Sequence, residues 1–128
     1  MLDVVDLGSR YGRIPALRGV ALRVEPGELV ALVGANGAGK TTLLRAISGV
    51  QPVCAGMVRF DGKDLARLTA RQRVQMGIVQ VPEGRQVFGP LSVEDNLLLG
   101  AFARGSRNSL DPVLAMFPAL QKKRHQPA

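Results

Sequence analysis

In 128 residues the chain has one cysteine, one tyrosine and no tryptophan. Cys54 has no second cysteine for an intrachain disulfide or for a thiolate metal site, and it reads as a passive, buried or half-buried thiol. Aromatic residues make up 4% of the chain, which argues against the ring platforms that stack single-stranded RNA bases. Long apolar runs are missing too. The longest, residues 29–33 and 97–103, are short or broken by glycine, against the roughly 18 residues a membrane span needs. The N-terminal MLDVVDLGSR carries acidic residues where a secretory signal is basic, so no export signal is expected and a cytoplasmic location is. Acidic residues are scarce, ten against 17 Lys and Arg, for a net charge of +7. That balance favours anionic partners such as phosphate ligands, nucleic acid or a membrane face, without choosing among them.

A hydrophobic content of 46% with 21% charged residues fits one globular domain. Segments VVDL and GVALRV read as strands, the second closed by the turn Glu25-Pro26-Gly27-Glu28. Residues 29–33 (LVALV) do not alternate and read as a strand buried on both faces of a parallel sheet. A glycine-rich loop follows, then LLRAIS with apolar residues at helical spacing before Gly49. GMVRF with Asp61-Gly62 predicts a strand and turn, TARQRVQM a short basic helix, and residues 78–81 a strand stopped by Pro82. Ser92 and Asp95 resemble a capping box ahead of a helix with Val93, Leu97 and Ala101 on one face. A polar break after Gly105 precedes one or two short helices around residues 110–120, interrupted by Pro118.

The loop Gly34-Ala35-Asn36-Gly37-Ala38-Gly39-Lys40-Thr41 has the form G-x-x-x-x-G-K-S/T, with Thr42 beside it. Glycines let the backbone wrap closely so that successive N–H groups point at phosphate oxygens, and the helix that follows adds its positive end. Lys40 suits the β- and γ-phosphates, and the Thr41 hydroxyl suits a Mg²⁺ position. Placement between an apolar run and a helix start is the context that such a loop requires. A dinucleotide-binding fold would lack the Gly-Lys-Thr.

GANGAGKTTLL, a tyrosine upstream and VPEGRQVFGPLSVEDNLLLGAF downstream resemble the nucleotide-binding subunit of an ABC transporter. VPEGR and LSVEDNLLLG resemble, more narrowly, the ATP-binding proteins of branched-chain amino-acid importers. The resemblance implies an α/β phosphate-loop NTPase fold with an N-terminal antiparallel β portion and a truncated parallel core, residues 1–128 forming the N-terminal part of one ABC ATPase domain. Its implied ligands are ATP and Mg²⁺. Tyr11 matches the family's adenine-stacking aromatic, the alternative being a partly buried strand-end tyrosine. Glu83 falls where the wider family has a glutamine that senses γ-phosphate, Mg²⁺ and water, and a carboxylate can reach Mg²⁺ directly or through water. Residues 84–96 would contact a transmembrane partner, with Phe88, Pro90 and Leu91 either receiving it or covering the sheet end.

The implied partners are transmembrane permease subunits, a second ATP-binding subunit and, indirectly, a solute-binding protein, with no nucleic acid, at the inner face of the cell membrane. A urea or short-amide importer, or a non-hydrolysing nucleotide-binding or interaction remnant, are the alternatives. The 128 residues contain no L-S-G-G-Q signature, no apolar strand ending in Asp-Glu and no switch histidine. By resemblance the catalytic base lies outside the chain, so nucleotide binding without turnover is expected, with an unpaired apolar strand edge. Arg67, Arg71 and Arg73 read as a solvated helix face. His125 reads as lacking a partner carboxylate.

Overall fold

The computed structural model describes residues 1–84, 86–102 and 110–128, so Arg85 of the VPEGR segment and the break after Gly105 lie outside the described residues. The chain divides into two units, Met1–Gln80 and Val81–Ala128. In the first, β1 (Leu2–Tyr11), β2 (Ile14–Val24), β3 (Val53–Phe60) and β4 (Lys63–Asp64) form an antiparallel sheet in the order β2-β1-β3-β4. Helices α1 (Lys40–Ser48) and α2 (Ala70–Gln75) complete it. The second unit contains α3 (Val93–Phe102), α4 (Asp111–Met116) and α5 (Pro118–Lys122).

Local chemistry sets the hairpins. Gly12, at φ 58°, sits in the two-residue turn from Tyr11 to Ile14. Asp61 and Gly62, both at positive φ, make the tight turn between Phe60 and Lys63 that an Asp-Gly pair favours. β1 departs from simple alternation because its pairing with both neighbours shifts register between residues 4 and 9, which leaves Leu7, Gly8 and Ser9 consecutively buried. Ser9, fully buried, donates its hydroxyl to Pro52 O at 2.8 Å, so its polar group is satisfied. Val4, Leu7, Leu17, Val58 and Leu65 form the core together with Leu43, Ala46 and Ile47 of α1.

Two expected strands are not formed. Residues 29–33 carry no ladder, with Leu29 and Val33 97% and 93% exposed, and residues 78–81 are likewise irregular. A strand exists only where a neighbour accepts its N–H and C=O groups, and neither segment has one among the described residues. Cys54 lies on β3 with its side chain exposed, against the expectation of a buried or half-buried thiol, in the stretch 53–56 where the strand is exposed at every residue. The remaining elements fall where the periodicity placed them. Ser92 Oγ accepts from Asp95 N at 3.1 Å at the start of α3, and Val93, Leu97 and Ala101 share its half-buried face. No described helix is long and apolar enough to cross a membrane.

Candidate functional site

The glycine-rich loop leads straight into α1, whose N-cap is Gly39 at φ 92°. No side chain caps this end and the first turn holds no acidic residue, so its N–H groups keep their capacity for an anionic acceptor. Gly39 is obligatory on two counts. Its φ is one that side chains resist, and a Cβ there would lie 2.8 Å from Leu17 Cδ2 and 2.9 Å from Ala16 O on β2. Gly37, at φ 84°, makes the turn in mid-loop, and Ala38 N donates to Ala35 O at 3.2 Å. Asn36 is exposed at that turn.

Lys40 folds back over the loop, its Nζ donating to Gly34 O at 2.6 Å and Ala35 O at 2.8 Å. An ammonium has three donors, so one stays free for a phosphate oxygen. Thr41 is exposed on the first turn, whereas Thr42 is buried at 8%. Tyr11, at the end of β1 and 45% exposed, stands beside Thr42 and Arg45. Hydrogen bonding to the Thr42 side chain, and then to Arg45, holds its phenol below the ordinary tyrosine range. The structure thus brings Tyr11, the loop, Lys40, Thr41 and Thr42 together in one unit. Glu83 belongs to the second unit, exposed between Pro82 and Gly84.

Sequence reasoning missed several residues. Arg73 is not on a solvated face: it is 6% exposed and donates to four main-chain carbonyls, those of Ala46, Ile47, Leu65 and Leu68. The signal was there, since Ala70, Arg73 and Val74 share the inward face of α2 at helical spacing, and Thr69 with Gln72 form a complete capping box that fixes its start. Arg67 and Arg71 are exposed as expected. Ser48 Oγ donates to Gln80 Oε1 at 2.7 Å, tying the far end of α1 to the segment that precedes Glu83.

In the second unit, Asn96 Oδ1 accepts from Phe88 N at 2.8 Å while its Nδ2 donates to Phe88 O and Ser92 O. One amide therefore shapes the 88–92 turn, with Phe88, Pro90 and Leu91 exposed on it. His125 does have a carboxylate partner, since Nδ1 lies 3.2 Å from Glu94 Oε2, and Glu94 also accepts from Arg124 at 2.5 Å. These residues are brought together because the C-terminal segment returns to the start of α3, with Val93 N and Glu94 N donating to Gln126 O and Arg124 O. No cluster of three or more His, Cys, Asp or Glu suited to a metal occurs among the described residues.

Comparison with known proteins identifies the family. The high-affinity branched-chain amino acid transport ATP-binding protein of Pseudomonas aeruginosa is 40% identical over 131 residues, covering 100% of this chain and 56% of that protein. A sulfate/thiosulfate import ATP-binding protein of Bordetella pertussis is 42% identical, but over 80% of this chain and 28% of its own length. Among solved structures, the ATP-binding subunit of an ABC transporter superposes with a TM-score of 0.81 at 30% identity, covering 99% of this chain and 54% of that one. The chain therefore spans about half the length of the Pseudomonas relative and of that solved structure, and a smaller share of the sulfate importer protein. With the ABC transporter family profile matching residues 17–127 around this loop, the chain belongs to the ABC transporter family.

Proposed function

We propose that the chain binds ATP through its phosphate loop as part of the ATP-binding subunit of an importer for branched-chain amino acids. The observation that carries this is the uncapped N-terminus of α1 under a Lys40-bridged glycine loop, with Tyr11 beside Thr42 in the same unit. That arrangement offers amide donors and an ammonium to phosphates, and an aromatic ring near the loop's end for the base. The branched-chain reading rests on the VPEGR and LSVEDNLLLG segments and on a branched-chain relative aligned over the whole chain. Sulfate importer relatives align over a smaller part, although at similar identity.

By donor chemistry alone, the Thr41 hydroxyl is a hard oxygen ligand of the kind Mg²⁺ takes, and so, in its own unit, is the Glu83 carboxylate. When bound, the ion would offset the negative charge of the phosphates. Transmembrane permease subunits, a second ATP-binding subunit and, through them, a solute-binding protein are the partners this reading implies, at the inner face of the cell membrane.

Tyr11 is the only tyrosine and tryptophan is absent, so intrinsic fluorescence reports this one ring. Titration with Mg-ATP is expected to change that signal saturably. Lys40→Ala should weaken binding by roughly ten- to a hundredfold, the scale of a lost charge-assisted contact. An unchanged signal, or equal affinity in the variant, refutes the nucleotide reading.

A further inference from the structure

Helix α1 has nine residues and is roughly 13 Å long, so a displacement at one end is felt at the other. Its first end is set by Gly39 against Leu17 and Ala16 of β2. At its last end the terminal carbonyls lack intrahelical partners and must find others. Val50 N and Gly49 N satisfy Arg45 O and Ala46 O, at 2.9 and 3.3 Å. Arg73 adds two more bonds there. Nη1 donates to Ala46 O and Ile47 O, both at 2.8 Å, while Nη2 reaches Leu65 O at 2.8 Å and Nε reaches Leu68 O at 3.2 Å.

One buried guanidinium thus binds the last turn of α1 to the 65–68 loop, and all three of its nitrogens are used. Its positive charge also opposes the negative end of the helix dipole. Gly49 makes the room, because a Cβ there would sit 2.9 Å from Arg73 Nε. Burial pulls the guanidinium's pKa down, with Asp64 acting against that, yet arginine stays charged. Lysine cannot replace this fork, since a single ammonium nitrogen cannot span acceptors on both sides.

We propose that Arg73 is a positioning residue for the phosphate loop: by locking the far end of α1, it fixes where the first-turn N–H groups of Lys40, Thr41 and Thr42 stand. It touches no nucleotide in this role, which rests on the loop's being a phosphate site but can be tested apart from it. The experiment compares the amide resonances of Lys40, Thr41 and Thr42 in the wild-type chain and in Arg73→Lys, first alone and then with inorganic pyrophosphate. Arg73→Lys should displace those resonances without ligand and weaken pyrophosphate binding roughly three- to tenfold, while far-UV circular dichroism stays unchanged.

A lower melting temperature with loop resonances and affinity unchanged would overturn the proposal and leave Arg73 as a packing staple. If the wild-type chain fails to bind pyrophosphate, the phosphate reading of the loop falls, while the ligand-free resonances still decide the role of Arg73. Should Arg73→Lys not fold, Thr69→Ala takes its place. That substitution removes the acceptor for Gln72 N and loosens the helix that carries Arg73. A smaller displacement of the same three resonances supports the proposal, and their constancy overturns it.

Discussion

β1 and residues 29–33 are both rich in Val and Leu, yet they end in opposite states. β1 lies between β2 and β3, paired along both edges, and its Val4 and Leu7 are at most 2% exposed. Residues 29–33 carry no ladder, and Leu29 is 97% exposed. Composition does not separate them; the source of the partner does. β1 obtains its first neighbour from a two-residue turn, whereas a parallel strand depends on a segment delivered by a long crossover. Apolar sequence nominates a strand, but pairing makes one.

Substitutions can break this contrast. The largest effect is expected at Gly56, where β3 passes so close to β1 that a Cβ would sit 2.2 Å from Asp6 O and 2.4 Å from Val5 O at φ 75°. Gly56→Ala must force the strands apart and should cost about 4 kcal/mol or more, read as a lower urea midpoint. Leu7→Ala, which opens a cavity at a fully buried site, should cost about 3 kcal/mol. The matching Leu29→Ala should stay within about 0.5 kcal/mol, and a similar loss at both positions would erase the distinction between paired and unpaired segments. Smaller still is the stability effect of Val33→Lys at its 93% exposed site. Its consequence should be in solution behaviour, because an exposed, unpaired apolar segment can recruit other chains and a lysine discourages that. Light scattering at rising concentration checks this, with less self-association expected than in the wild-type chain.

The same contrast explains what could be read from the sequence. Local signals survived: Asp61-Gly62 made its hairpin, Ser92 and Asp95 began α3, and Pro118 separated α4 from α5. The phosphate loop was legible because its chemistry is written in consecutive residues, from Gly34 to Thr41. Residues 29–33 and 78–81 were misread because apolar character says nothing of whether a neighbour is present. Arg73 was misread for another reason. Charge suggested solvent, but four carbonyls and the end of a helix make a buried place for a cation, and no pattern along the chain names those acceptors. His125 acquired a carboxylate from 31 positions upstream by chain return, which spacing alone does not reveal.

In the second unit pairing has yet another origin, and that yields the smallest effect. Residues 124–128 return to the start of α3 through three main-chain bonds, Val93 N to Gln126 O, Glu94 N to Arg124 O and Ala128 N to Leu91 O. The return is joined by Glu94, which accepts from Arg124 and faces His125, with Asp95 nearby and Asp111 near Arg124. The Arg124 hydrogen bond comes first among the causes that hold the Glu94 carboxyl below the ordinary glutamate range. A carboxylate with a depressed folded pKa stabilises fully above its unfolded value, and the contribution is lost as pH falls through the folded one. Arg124 is shifted upward instead and keeps its charge throughout acid titration. Acidification should therefore lower hydrogen-exchange protection of the Val93 and Glu94 amides, while β1 amides hold theirs in the same pH range. In Glu94→Gln that protection should be lower already at neutral pH and should no longer respond to acid. Solvent and salt still reach this half-buried pair, so the loss should also shrink as ionic strength rises. Equal protection in the variant and the wild-type chain would mean that the three main-chain bonds hold the return unaided.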